Sequence, residues 1–251
     1  MNDNKNVKIK VKIELLSPVQ LASGKANVVI DSDAVHDEYG VPYFPAKRFK
    51  GLLYESAIEI MEMGELCGKT IICKNTINDL FGKNENSKTE MFIHNFTLPR
   101  YDEMRKAWAY LQKHFPGIID KDAVLKEYTS IRYQTEIDNE TGIAKKGSLR
   151  NMRVVDHVMI EPNFFPKVKD KKNTKKGNIP DEPKKLCFEG FIDGFKWNED
   201  HIKAIAVAIS NIRYAGAKRN RGFGHIKCSI CSIKYGDKEC LPNYSLDKIL
   251  K

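Results

Sequence analysis

The densest group of chemistry-bearing residues is Arg213-Tyr-Ala-Gly-Ala-Lys-Arg-Asn-Arg-Gly-Phe-Gly-His-Ile-Lys227. It holds five Lys/Arg and no acid, with glycines at 216, 222 and 224. Guanidinium and ammonium groups beside exposed backbone N–H groups suit a chain of phosphates. The glycines let the backbone come close to another surface. A solvated turn ending in a glycine cap is the plainer reading, but cations and glycines this dense favour contact with a nucleic-acid backbone. A second set, Lys47, Arg48 and Lys50, falls where a helix should begin. Cations there oppose the helix dipole unless an anion sits between them; ordinary surface lysines are the alternative.

The elements that must carry these groups can be read from periodicity. Ile202, Ile205, Ala206, Ile209 and Ile212 recur at helical spacing after the cap candidate Asn198, and Phe223, Ile226, Cys228 and Ile230 fit a strand. The basic loop therefore joins a helix to a strand. Residues 7 to 16 alternate lysines with Val7, Ile9, Val11 and Ile13, as a strand with one core face does. A helix over 46 to 63 carries Phe49, Leu52, Leu53, Ala57, Ile58, Ile60 and Met61 and is expected to stop at Gly64. Residues 66 to 88 read as irregular, Met91 to Leu98 as a short strand, and 101 to 114 and 121 to 128 as helices, the first with Trp108 and Leu111 on its apolar side. Asp138 to Gly142 is a hairpin turn, and strands follow at Arg153–Ile160 and Leu186–Phe195. Residues 167 to 185 hold eight Lys against Asp170, Asp181 and Glu182, a composition expected to stay mobile until RNA or a neighbouring subunit orders it.

Stripped of insertions the order is strand, helix, strand, strand, helix, strand. That is an α+β, ferredoxin-like sandwich, the plan of an RNA-recognition motif.

At 251 residues the chain can bury a full core, and its net charge of +9 favours an acidic partner, nucleic acid or an anionic membrane surface. No apolar run approaches the ~20 residues of a spanning helix, and no signal-peptide pattern opens the chain, so cytoplasm is expected. Six cysteines are too few for a disulfide scaffold. Cys228-Ser-Ile-Cys231 has the C-x-x-C spacing, but a strand would turn its thiols to opposite faces. Cys67 and Cys73 could offer two thiolates to zinc; reduced, mostly buried thiols are the simpler expectation.

Three stretches resemble the RAMP superfamily (repeat-associated mysterious proteins) in its type III CRISPR branch. Asp31 followed by Asp37-Glu-Tyr-Gly-Val-Pro-Tyr-Phe-Pro-Ala-Lys-Arg-Phe-Lys-Gly-Leu-Leu53 is similar to its N-terminal signature. Ile137 to Arg150 resembles its protruding thumb, and Gly216 to Gly224 its C-terminal glycine-rich loop. Lys47, Arg48 and Phe49 stand where the family usually has small residues. The resemblance implies one RAMP-type domain over 1–251, with insertions at about 66–90 and 99–130 and a thumb-like segment at about 137–185. It implies packing along a guide CRISPR RNA beside sibling subunits or further copies of the chain, with target RNA bound and no membrane contact. The expected RNA contacts are Lys218, Arg219, Arg221, Gly222 and Phe223 of the loop, Lys47, Arg48 and Lys50 of the helix start, and Arg150.

The resemblance also implies a loop aspartate that supports metal-dependent cleavage of target RNA. It falls on Asp31, with Asp33 next and Mg²⁺ on Asp31. A carboxylate on a loop can hold Mg²⁺ with waters and a substrate phosphate completing the shell. A turn or cap pair is the other reading of the two acids, and His36 is a nearby proton carrier only in principle. Two further functions stay open: a non-catalytic RNA-binding subunit of the same assembly, and a metal-independent CRISPR-RNA processing endonuclease.

Overall fold

The computed structural model describes residues 5–24, 30–82, 89–158, 185–236 and 238–240. Strand β1 (Lys5–Leu15) supplies the spine. Val7, Ile9, Val11, Ile13 and Leu15 are at most 2% exposed, while Lys8, Lys10 and Lys12 face outward, as the alternation predicts. Antiparallel to it on one side runs β5 (Cys187–Trp197), on the other β6 (Ile226–Tyr235). With β2 (Glu90–Ile93) and β7 (Lys238–Cys240) at the edges, the five-stranded order is β2-β5-β1-β6-β7.

Helices α1 (Ala46–Leu66) and α5 (Glu199–Asn211) lie together over the buried face of this sheet. The ferredoxin-like expectation holds: the first four core strands stand in the interleaved order that two β-α-β units produce. The helices are tied to each other by Ser56 Oγ, which donates to the Ala208 carbonyl at 2.7 Å, and by Asn211 Nδ2, which donates to Glu59 at 2.8 Å. Phe44, Phe49, Phe96 and Phe188 fill the space below them, with the Phe49 and Phe96 rings 4.5 Å apart. Capping fixes the start of α5: the Asn198 side chain accepts from His201 N, and the His201 ring accepts from Asn198 N.

Strand β6 contains a bulge. Val11 pairs with Ile230 and Lys10 with Ser232, so Cys231 is the extra residue. Cys228 is buried and its thiol is pushed up to about 12 by that burial, whereas Cys231 lies on the lysine-bearing face near Lys10 and Lys12. The two thiols do face apart. The expectation of mostly buried thiols fails: of the described cysteines only Cys228 is buried, and Cys67 and Cys73 are exposed.

Two stretches differ from the periodicity. Helix α1 runs through Gly64, because the missing side chain leaves room for the returning chain. A Cβ there would stand 2.6 Å from the Lys69 carbonyl. The supposedly irregular stretch after it contains α2 (Lys74–Leu80), with Ile77 and Leu80 buried. Two further helices, α3 (Tyr101–His114) and α4 (Lys121–Tyr128), follow β2. No described helix is long and apolar enough to cross a membrane.

Strands β3 (Thr129–Gln134) and β4 (Arg150–Val155) pair antiparallel in a sheet of their own. With the chain between them they make an arm that starts earlier than the thumb expected at 137–185. Its turn is the expected one: Asp138 Oδ1 accepts from the N–H groups of Glu140 and Thr141, both at 3.0 Å. Those bonds hold the Asp138 carboxyl below the usual range. Of the thumb segment, 159–184 lie outside the described residues, as does all of the lysine-rich stretch but Lys185. Strand β4 begins at Arg150 and ends at Val155, not at Ile160.

Candidate nucleic-acid interface

Helix α5 ends at Asn211, and the chain turns back as a clamped loop. Ala215 N donates to the Gly224 carbonyl and Ile226 N to the Arg213 carbonyl, each at 2.8 Å, with Tyr214 and His225 opposed between them. Lys218 (φ 59°) and Gly222 (φ 80°) adopt left-handed backbone on either side of one 3-10 turn, Arg219–Arg221. The glycines divide in role. A Cβ on Gly216 would lie 2.5 Å from the Gln20 carbonyl, and one on Gly224 2.0 Å from that of Ala215. These two let the chain approach itself. Only Gly222 faces open space.

Across from the loop stands the arm. Between them lies a cleft of about 830 Å³, lined by Gln134, Lys145, Lys146, Ser148, Arg150, Lys218, Asn220 and Arg221 among others. Lys218 Nζ donates to Gln134 Oε1 and so ties the loop to the arm. Lys145 pairs with Glu136. Among the described residues Arg150 and Arg221 form no ion pair. Partial burial, then Arg221 and Arg150, push the Lys218 ammonium below the usual lysine range. Glu136 also lines the cleft but is paired with Lys145, so Arg150, Lys218 and Arg221 leave the cleft net positive, as an anion site requires.

The other sequence candidates scatter. Arg219 turns away: its Nε donates to the Gly216 carbonyl at 3.2 Å and its Nη1 lies 3.6 Å from Glu55. Gly222 is exposed and Phe223 half-buried. Arg48 donates to the Ala22 carbonyl. Lys47 is exposed, and Lys50 lines a different cleft with Phe81, Phe92 and Phe195. The first N–H of α1 donates to Asn95 Oδ1 at 2.8 Å, so a side-chain oxygen meets it in place of an anion. The helix start and the basic loop are thus not brought into one cleft.

The two acids also part. Asp33 is buried against Arg153, whose Nε stands 2.8 Å from Asp33 Oδ1 as an ion pair too bent for a hydrogen bond. Asp31 is exposed; its Oδ2 accepts from Asn151 N, and its own N–H donates to Asn151 Oδ1, both at 2.8 Å. That exchange ties Asp31 to β4 at Asn151, the residue after the cleft-lining Arg150. His36 Nδ1 lies 2.7 Å from the Asp37 carbonyl. Among the described residues, no three or more His, Cys, Asp or Glu side chains converge to form an all-protein metal cage.

Periodicity missed Gln20. Its backbone bridges Ala217, its side-chain amide donates to Ser32 Oγ at 3.2 Å, and it is 4% exposed. It joins the basic loop to the acid-bearing loop. Gln134, Lys146, Ser148 and Asn220 were missed as well, because each joins the cleft only through the pairing of arm and loop.

The profile of the RAMP superfamily matches residues 12–227, most of the chain. The chain belongs to the RAMP superfamily. Two solved structures are similar to this RAMP protein over 89% of its length and 96% of theirs, each at 12% identity. One is a chain of the type III-B Cmr-beta complex bound to cognate target RNA, with a TM-score of 0.57; the other comes from the apo state of Cmr-beta, with a TM-score of 0.55. At that identity the likeness is one of fold. No curated protein sequence matches this RAMP chain.

Proposed function

We propose that this RAMP protein is an RNA-binding backbone subunit of a type III CRISPR ribonucleoprotein, working in the cytoplasm beside sibling subunits or copies of itself. The observation that carries the reading is the cleft between arm and loop, where Arg150, Lys218 and Arg221 converge while Glu136, the acid in its lining, pairs with Lys145. Such a site holds phosphates and reads no sequence, which suits a guide RNA that must vary. One similar structure is bound to cognate target RNA, and this supports target RNA as the second strand.

Asp31 is the residue we assign to cleavage of the target. It is exposed, on a loop, and hydrogen-bonded to the residue after Arg150. A lone carboxylate fits Mg²⁺, which keeps several waters and shares its shell with substrate oxygens. Bound there, the ion would offset charge on the scissile phosphate. Asp31 orients the target phosphate to be cut while Arg150 and Arg221 hold the guide strand paired with it. A scaffold without cleavage is the second reading, favoured by the exchange of hydrogen bonds with Asn151, which gives Asp31 a structural task of its own.

The test is purification of the assembled complex and gel analysis of labelled target RNA with Mg²⁺. Co-purifying short RNA and metal-dependent cutting, lost in Asp31→Asn, are expected. No co-purifying RNA would overturn the reading, and RNA without cutting would leave the scaffold.

A further inference from the structure

At the base of the basic loop, outside the cleft, Tyr214 stacks on His225 with ring centroids 5.3 Å apart and planes 29° from parallel. The two face each other as a non-hydrogen-bonded antiparallel pair, flanked by the Ala215–Gly224 and Ile226–Arg213 bonds, the arrangement in which opposed side chains come closest. Their footing is firm. His225 N donates to Ser17 Oγ at 2.9 Å, and its carbonyl accepts from the N–H groups of Leu16 and Ser17. Tyr214 is nevertheless 46% exposed, and His225 is exposed too.

Beside Tyr214 opens a further cleft, of about 440 Å³, whose charges cancel: Arg213 and Arg219 against Glu55 and Glu59. A phosphate gains little in so balanced a site, whereas a neutral planar group with polar edges fits it. Lys218 stands four positions along the same clamped loop from Tyr214, on the phosphate-binding side. The loop thus presents Lys218 and Arg221 to one side and, among balanced charges, a fixed aromatic stack to the other.

We infer that Tyr214, backed by His225, is a nucleobase-stacking site that takes one unpaired RNA base from a strand whose phosphates lie on Lys218 and Arg221. The inference rests on the RNA-binding reading above. Stacking of this kind is indifferent to base identity, because every base has a π-face.

The experiment measures binding of a single-stranded RNA carrying 2-aminopurine to the full chain across a salt series. Loss of one stacked base is expected to weaken binding about 5- to 150-fold in Tyr214→Leu, with the salt slope unchanged and 2-aminopurine quenching lost. Tyr214→Phe keeps the ring and is expected to keep both. A second measurement needs no variant: RNA containing 4-thiouridine, photo-crosslinked to the wild type, should mark Tyr214 or His225. Wild-type affinity and quenching in the leucine variant would overturn the site, as would crosslinks confined to the cleft, the pattern expected if Tyr214 meets only another protein. A wild type that binds no RNA would overturn the RNA-binding reading and this site with it.

Discussion

Arg153 Nε and Asp33 Oδ1 stand 2.8 Å apart, with the two side chains 4% and 12% exposed. This contact sorts two acids that look alike in the sequence. A buried guanidinium left without its carboxylate costs on the order of 3 kcal/mol. Asp33→Asn is therefore expected to lower the melting temperature by several degrees, measured by calorimetry, with any loss of activity following the loss of fold. Asp31→Asn, on the surface, should shift stability by less than about 1 kcal/mol and act on cleavage alone. Equal melting of the two variants would refute the division.

Salt dependence separates the cations. Replacing Arg150, Lys218 and Arg221 together by alanine should reduce the slope of log K against log salt by about 2, from roughly 0.7 per lost single-strand phosphate contact. Arg219→Ala should leave the slope near wild type, since Arg219 already leans on Glu55 and Gly216. Fluorescence anisotropy at several salt concentrations reads both.

The loop glycines should rank by what a methyl group meets. Gly224→Ala sets a Cβ 2.0 Å from the Ala215 carbonyl and is expected to cost on the order of 3 kcal/mol and to weaken RNA binding. Gly222→Ala meets open space and carries only the strain of φ 80°, about 1 kcal/mol. Thermal unfolding of the two variants gives the ranking directly.

Acid should loosen α5 through His201. Burial, outweighing nearby Asp79, holds this imidazole below the usual histidine range, so the folded state keeps it neutral. Its Nδ1 accepts the Asn198 N–H at 3.1 Å, which a protonated ring cannot do. Between the lowered folded value and the ordinary 6.5, the unfolded chain binds the extra proton. Stability is then complete above about 6.5 and falls as pH drops through that window. Unfolding followed from pH 7.5 down to 5.5 should show the decline, and His201→Gln should flatten it.

Much of the fold is legible because its strands and helices carry their burial in their own periodicity: β1 alternates, and α1 and α5 repeat their apolar faces at helical spacing. The basic loop is legible for the same local reason, as charge and glycine concentrated in one stretch. What the sequence hides is every partnership across distance. Lys218 meets Gln134 across 84 positions and Asp31 meets Asn151 across 120, and no local pattern records either. Lys50 and Arg221 look equivalent as exposed cations, yet they line different clefts. Gly64 misleads because a glycine that ends a helix and one that admits a crossing chain are written with the same letter.

The bulge at Cys231 gives β6 one residue more than its ladder needs. Deleting that residue would join Ile230 to Ser232 and leave Val11 and Lys10 with the partners they already have. Ile233 would stay on the core side and Lys234 outside. A deletion within the unbulged strand β1 would instead turn the apolar residues on one side of it toward solvent. Length variation among relatives of this chain should therefore be tolerated at 231 and purged from β1.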